Sequence, residues 1–221
     1  MNSYWTIDLE SWPRREIFEF YRTFDAPCYN LTVKVAAEPI HAFAESRDES
    51  FFLLCLYAIL RAANSVPQLR RRLADVGVIE FDRIAALTPI MTESELFHQV
   101  WCEYEPDFPA FKARVAPDIE RAKRGNPSPL VGRGADFLCA SCVPWTHFES
   151  IAHAEYGFAQ TIPVLTWGKL RDGLVPIGVK FNHCFVDGLH ASRFFDAVEH
   201  GFTAPETLFD ADLVQPEGAR A

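Results

Sequence analysis

A two-layer α/β fold with a mixed β-sheet is what this chain encodes. Strand-like and helix-like segments are interleaved along it, a pattern that favours helices layered on a sheet. The segments from Thr161 to Leu170 and from Val175 to Phe181 flank Arg171-Asp172-Gly173, a hairpin turn signal, so the sheet is not all parallel. The 221 residues contain no Gly/Ser linker, low-complexity tract or internal repeat, and 1–221 reads as a single domain.

From Asp8 to Tyr21, charges and aromatics recur at helical spacing. Trp12, Phe18 and Tyr21 share a face with Glu16 and Glu19 off it; Asp8 and Ser11 are candidate caps, and Pro13 suits a first turn. Leu31 to Val35 alternates as a strand does. Ser50 to Ala63 is apolar and long enough for a buried helix that stops at Asn64-Ser65-Val66-Pro67. A short helix follows through Gln68 to Leu73. Val78 to Phe81 and Ala86 to Met91 read as strands, and Glu93 to Trp101 and Phe108 to Lys123 as helices. Gly125-Asn126-Pro127-Ser128-Pro129 is a breaker cluster expected in a long surface loop. Phe137 to Cys142 opens a run of three strands, and a final helix from Gly188 to His200 carries Phe194, Phe195 and Val198 on one face.

The formal charge of −9 and pI of 5.2 oppose binding to phosphate backbones or anionic membranes, so neither nucleic acid nor membrane is expected as a partner. Arg70-Arg71-Arg72 is the local exception, either a solvated helix end or a phosphate contact. No apolar run approaches the ~18 residues of a membrane span, and Met1-Asn2-Ser3-Tyr4-Trp5 lacks signal-peptide character, so a cytoplasmic protein is expected. Six cysteines sit largely among apolar neighbours, as buried reduced thiols do. Cys139 and Cys142 have C-x-x-C spacing, but no second pair exists and no helix starts after the first, so no metal site is expected. Nineteen Phe, five Trp and six Tyr point to an aromatic core, an aromatic-lined pocket, or both.

Chemistry concentrates in Val179-Lys180-Phe181-Asn182-His183-Cys184-Phe185-Val186-Asp187-Gly188, which runs off a strand into a tight turn before the last helix. A histidine at a strand end can be held at a cleft, while Asp187 turns back to fix the loop. A neutral imidazole suits general-base work at neutral pH. On these grounds alone, a lone His beside a Cys is more often a satisfied core histidine than a catalytic base.

The H-x-x-x-D-G pattern at this place resembles the signature of the chloramphenicol acetyltransferases and of the wider CoA-dependent acyltransferases, which include dihydrolipoyl transacetylases and peptide-synthetase condensation domains. Three more segments match the first family in order and spacing: Trp12-Pro13-Arg14-Arg15-Glu16-Ile17-Phe18-Glu19-Phe20-Tyr21, Val100-Trp101-Cys102-Glu103-Tyr104, and Ser141-Cys142-Val143-Pro144-Trp145. The likeness spans about Tyr4 to Val198, and the length is too short for a condensation domain.

The resemblance implies an acetyl-CoA-dependent O-acetyltransferase with a chloramphenicol acetyltransferase-like fold, acting on chloramphenicol or another hydroxylated small molecule. His183 is then the base, its outer-facing ring partner being its own backbone carbonyl, and Ser141 stabilises the oxyanion. Asp187 pairs with Arg14, or with the adjacent Arg15, to shape the His loop. Phe20, Tyr21, Cys28, Phe97 and Thr166 line the acceptor pocket, and Trp145 contacts coenzyme A. A homotrimer is implied, with His183 facing Phe20, Tyr21 and Thr166 across a subunit boundary. The chain departs from the family pattern at Asn182 (a first His), His98 (a Ser), Leu170 (a Tyr) and Ser50 (a Lys), with Phe52 as another aromatic at the coenzyme site.

Overall fold

The structure, a computed structural model, describes residues 2–154 and 161–210. In chain order its elements are β1 (Tyr4–Thr6), α1 (Arg15–Tyr21), β2 (Cys28–Ala36), α2 (Glu38–Ser46), α3 (Phe51–Ser65), β3 (Arg71–Ala74), β4 (Gly77–Phe81), β5 (Ala85–Met91), β6 (Phe97–Cys102), α4 (Phe108–Lys123), β7 (Phe137–Val143), β8 (Val164–Gly168), β9 (Leu174–Asn182) and α5 (Gly188–Thr203). Six strands form a mixed sheet in the order β2-β9-β8-β7-β5-β6, parallel at β5–β7 and β7–β8 and antiparallel elsewhere. A second sheet has the order β1-β4-β3.

Alternation along the strands decides which face is covered by helices. Val175, Ile177, Val179 and Phe181 of β9 are buried on the helix side, where Phe181 meets Phe194 and Phe195 of α5 edge-on. Trp167 of β8 stacks on Phe52 of α3 at 5.5 Å. Helix α3 is buried almost all round, as its apolar composition requires, and the Ser50 hydroxyl caps it by accepting from Leu53 N at 3.3 Å.

The opposite face of the sheet carries Asn30, Thr32 and Lys34 from β2, Gly178 and Lys180 from β9, Thr166 from β8 and Ser141 from β7. The chain following β7 crosses this face as a strap. Ile151 sits in a notch at Gly178, where an added Cβ would lie 2.1 Å from its Cγ2. Glu149 pairs with Lys34 at 2.8 Å, and Lys180 Nζ donates to the Ala154 carbonyl. Strand β9 is therefore buried on both faces, and it can hold a residue at its end rigidly.

Several sequence expectations are corrected. The segment from Glu93 to Trp101 is a tight turn and strand β6, not a helix: Glu95 takes φ 61°, Thr92 N bonds Leu96 O at 2.8 Å, and Phe97 pairs with Met91. The segment from Gln68 to Leu73 is a 3-10 turn (Pro67–Arg70) running into β3, and its arginines are neither a solvated helix end nor a phosphate site. Arg72 is buried and donates to the carbonyls of Leu69, Arg71, Ala135 and Phe137, while Arg70 and Arg71 pair with Glu80. Helix α1 begins at Arg15 because Asp8 folds its carboxylate onto Glu10 N and the Ser11 hydroxyl, closing a local turn instead of capping. Helix α2 carries only a short apolar stripe, Ile40 and Ala44, and was not anticipated.

Candidate active site

Strand β9 ends at Asn182, and the next five residues turn back before α5. The Asn182 side chain accepts from Cys184 N at 2.8 Å, and its carbonyl accepts from Phe185 N and Val186 N, so this residue supports the turn. His183 N donates to Pro27 O at 2.7 Å, which ties the turn to the chain entering β2.

Arg14, immediately before α1, is the clamp. Its Nε donates to Cys184 O and one Nη2 hydrogen to His183 O, both at 2.9 Å. The guanidinium also grips both Asp187 carboxylate oxygens, Oδ1 from Nη2 at 2.6 Å and Oδ2 from Nη1. A planar donor fork fits this set of acceptors, and an ammonium would not. The Arg14 hydrogen bonds hold the Asp187 carboxyl below the usual carboxylate range. Arg15 is exposed and is not the partner. Asp187 also caps α5, with the His190 ring accepting from Asp187 N at 3.0 Å to complete a capping box.

The His183 ring stacks on Tyr21 at 4.0 Å and 8°, with Tyr29 tilted against it at 4.9 Å. Its Nδ1 lies 3.2 Å from Asp187 Oδ1, near enough for ionic attraction but off the line of a hydrogen bond, and it is buried without a hydrogen-bond partner among the described residues. The ring is one-third exposed, so Nε2 is the nitrogen a substrate can meet. The resemblance implies a bond from the ring to the histidine's own carbonyl; here that carbonyl is taken by Arg14.

Ser141 lies elsewhere in the chain. It pairs with Thr166, which pairs with Gly178, five residues before His183 and so roughly 16 Å back along β9. Ser141 lines a cavity of about 1180 Å³ together with Phe97, Trp145, Phe52 and Leu170. Trp145 is 64% exposed at its rim. Ser50 also lines it, with its hydroxyl engaged in capping α3. His98, between Phe97 and Gln99 on β6, points to the other side of the sheet and does not line the cavity.

The expected site residues therefore fall into two groups within one chain. Arg14, Tyr21, His183 and Asp187 are in direct contact. Phe20 and Cys28 lie at the same end, Phe20 59% exposed and Cys28 paired with Asn182. Ser141, Phe97 and Trp145 share the cavity, and Thr166 is Ser141's neighbour. Tyr21, expected to face His183 from another subunit, already stacks on it within the chain because α1 carries both Tyr21 and, at its start, the clamp. Cys139 and Cys142, three apart on β7, point to opposite faces of the sheet and cannot chelate one ion.

Sequence reasoning missed Tyr29, His190 and His153. The spacing of Asp187 and His190 at cap and third helical positions was a readable capping-box signal. His153 gave no signal, since only the fold lays it on Thr166.

Residues 1–199 match the family model described as Chloramphenicol acetyltransferase. The chain belongs to that family. Chloramphenicol acetyltransferase 3 of Escherichia coli is 28% identical over 207 residues, spanning 89% of this chain and 96% of that protein. Chloramphenicol acetyltransferase 2 of Escherichia coli is 30% identical over 205 residues, spanning 87% and 94%. A solved chloramphenicol acetyltransferase superposes with a TM-score of 0.78 and 32% identity over 91% of this chain and all of that one. A probable dihydrolipoamide acetyltransferase of Listeria monocytogenes, at TM-score 0.65 and 15% identity, shares the fold. Membership makes this chain an acyltransferase.

Proposed function

We propose that the enzyme transfers the acetyl group of acetyl-CoA to a hydroxyl of chloramphenicol or a similar hydroxylated small molecule, at sites completed between copies in a homotrimer. The observation that carries this is the Arg14 clamp, which fixes the backbone carbonyls of His183 and Cys184 and leaves Nε2 outward. In the reaction, His183 Nε2 takes the hydroxyl proton as the acceptor oxygen bonds to the thioester carbonyl carbon. The Ser141 hydroxyl donates to the oxyanion that forms. Collapse breaks the carbon–sulfur bond, and the departing thiolate takes the proton from His183. Ester and free CoA result.

Two features support assembly. His183 and Ser141 are separated along the sheet of one chain, so a second copy must bring them together. Ile17, Phe20, Phe24 and Leu189 are exposed apolar side chains on α1 and α5 and the turn following α1, a patch of the kind that marks an interface. The donor is assigned to the 1180 Å³ cavity, where Trp145 offers an aromatic face and Lys169 offers charge for an anionic nucleotide end, Lys123 being paired with Glu120.

The test pairs a thiol-reagent assay for free CoA with a panel of alcohols. CoA release with chloramphenicol supports the reading; release only with metabolite alcohols keeps the reaction and changes the acceptor; no release with any alcohol refutes it. Mixing His183→Ala with Ser141→Ala subunits tests assembly. In a head-to-tail ring where each site takes one residue from each neighbour, roughly a quarter of sites in an equal mixture regain both. Mixed trimers without recovered activity would place the site within one chain.

A further inference from the structure

We infer that His153 sets the hydrogen-bond direction of Thr166, so that the pocket selects acceptors carrying a hydrogen-bond donor beside the hydroxyl that reacts. The inference rests on the acyltransferase reading for the location of the acceptor.

The geometry is a three-residue chain across the sheet face. The His153 backbone N–H donates to Asn30 Oδ1 at 3.4 Å, and His153 Nδ1 lies 3.2 Å from the same oxygen. Two contacts from a nitrogen donor and a ring nitrogen fix that atom of the Asn30 amide as oxygen, since its NH₂ would face the backbone N–H donor to donor. Asn30 Oδ1 has no hydrogen to give, so the proton between it and His153 sits on Nδ1. A neutral imidazole carries one N–H, and burial together with the Lys180 ammonium lowers the His153 pKa and keeps it neutral. Nε2 is then a lone pair, and it lies 3.1 Å from Thr166 Oγ1. The Thr166 hydroxyl must donate its only hydrogen there.

What remains on Thr166 Oγ1 is acceptor capacity. Thr166 is opposite Ser141 in the sheet, on the same face. This face of the sheet thus carries two neighbouring hydroxyls with opposite roles, Ser141 free to donate to the oxyanion and Thr166 able only to accept. A diol, with one hydroxyl reacting and its neighbour donating to Thr166, satisfies both. An acceptor whose second oxygen is methylated leaves the Thr166 lone pair without a partner.

The test has two arms. On protein labelled with ¹⁵N-histidine, long-range ¹H–¹⁵N spectra report the tautomer: His153 carries its proton on Nδ1, and a proton on Nε2 overturns the inference. The second arm compares kcat/KM for chloramphenicol, a 1,3-diol, with that of its analogue methylated on the non-reacting hydroxyl. The wild-type enzyme favours the diol by about 10-fold, the worth of one hydrogen bond. His153→Leu frees the Thr166 hydroxyl to turn and brings the ratio to within about twofold. His153→Gln, whose amide can donate to Asn30 and accept from Thr166, restores it. A ratio unmoved by His153→Leu also overturns the inference. An enzyme that acetylates no alcohol defeats the acyltransferase reading, whereas the tautomer is read on the protein without ligand and stands apart from it.

Discussion

Removing the Arg14 clamp should damage stability and catalysis together, and the structure sets the size of both effects. Arg14 is buried, while Asp187 is one-third exposed. Breaking a fully buried pair costs about 3–5 kcal/mol, and solvent at Asp187 reduces that to roughly 2–3 kcal/mol for Arg14→Met. For a chain of this length each kcal/mol lowers Tm by about 2–4 °C, so a loss of roughly 4–12 °C is expected. Catalysis suffers because the guanidinium also holds the carbonyls of His183 and Cys184. A displacement of the base near 1 Å lowers kcat by about 10²-fold. Arg14→Lys should recover little, since an ammonium cannot span two carbonyls and a carboxylate. Thermal unfolding followed by circular dichroism at fixed protein concentration, with steady-state kinetics, measures both in a double-mutant cycle with Asp187→Asn. Coupling below about 0.5 kcal/mol, or an unchanged kcat in Arg14→Met, would refute the clamp. The pH dependence has a definite sign. The Asp187 pKa is depressed in the fold, so its contribution is complete above about pH 4, the unfolded carboxylate value, and is lost as pH falls through the lower folded value. Wild-type and Asp187→Asn stabilities should therefore converge on acidification below about pH 4.

His183→Ala should lower kcat by at least 10²–10⁴-fold in a protein that folds and assembles normally; near-normal turnover would eliminate the base. Ser141→Ala should lower kcat by about 10²-fold with little change in KM, because its bond to the oxyanion strengthens in the transition state, and an effect confined to KM would remove that role. Gly178→Ala should push Ile151 out of its notch at about 1–3 kcal/mol and raise KM for the acceptor more than for the donor. Adding Ile151→Ala relieves the contact, so a double variant no better than the single would show that the strap is seated otherwise.

The fold was legible where periodicity and turn chemistry agreed. Helix α4 begins and ends where its pattern does, and the β8–β9 hairpin follows from Arg171-Asp172-Gly173, with Asp172 and Gly173 both at positive φ. Glu93 to Trp101 misled because a two-residue alternation of Phe97, Gln99 and Trp101 overlaps acidic residues that read as a helical first turn. The arginine run misled because burial of a guanidinium depends on carbonyls supplied from remote parts of the chain, at residues 135 and 137 for Arg72. The site divides the same way. His183 and Asp187 stand in one short motif, and Arg14 and Ser141 were found through resemblance. Their separation into two groups, and the seat of His153 on Thr166, depend on strand register, which local sequence does not encode.

The notch at Gly178 has a consequence for how such an enzyme can be reprogrammed. Ile151, with Glu149, His153 and Ala154 beside it, seats the strap on the face of the sheet, whereas the turn at the end of β9 is anchored separately by Arg14. The strap and the turn that carries His183 are thus held by separate contacts on a single strand. A library that randomises residues 152–154 and holds Ile151, Gly178 and Arg14 constant searches acceptor preference with the chemical step left in place.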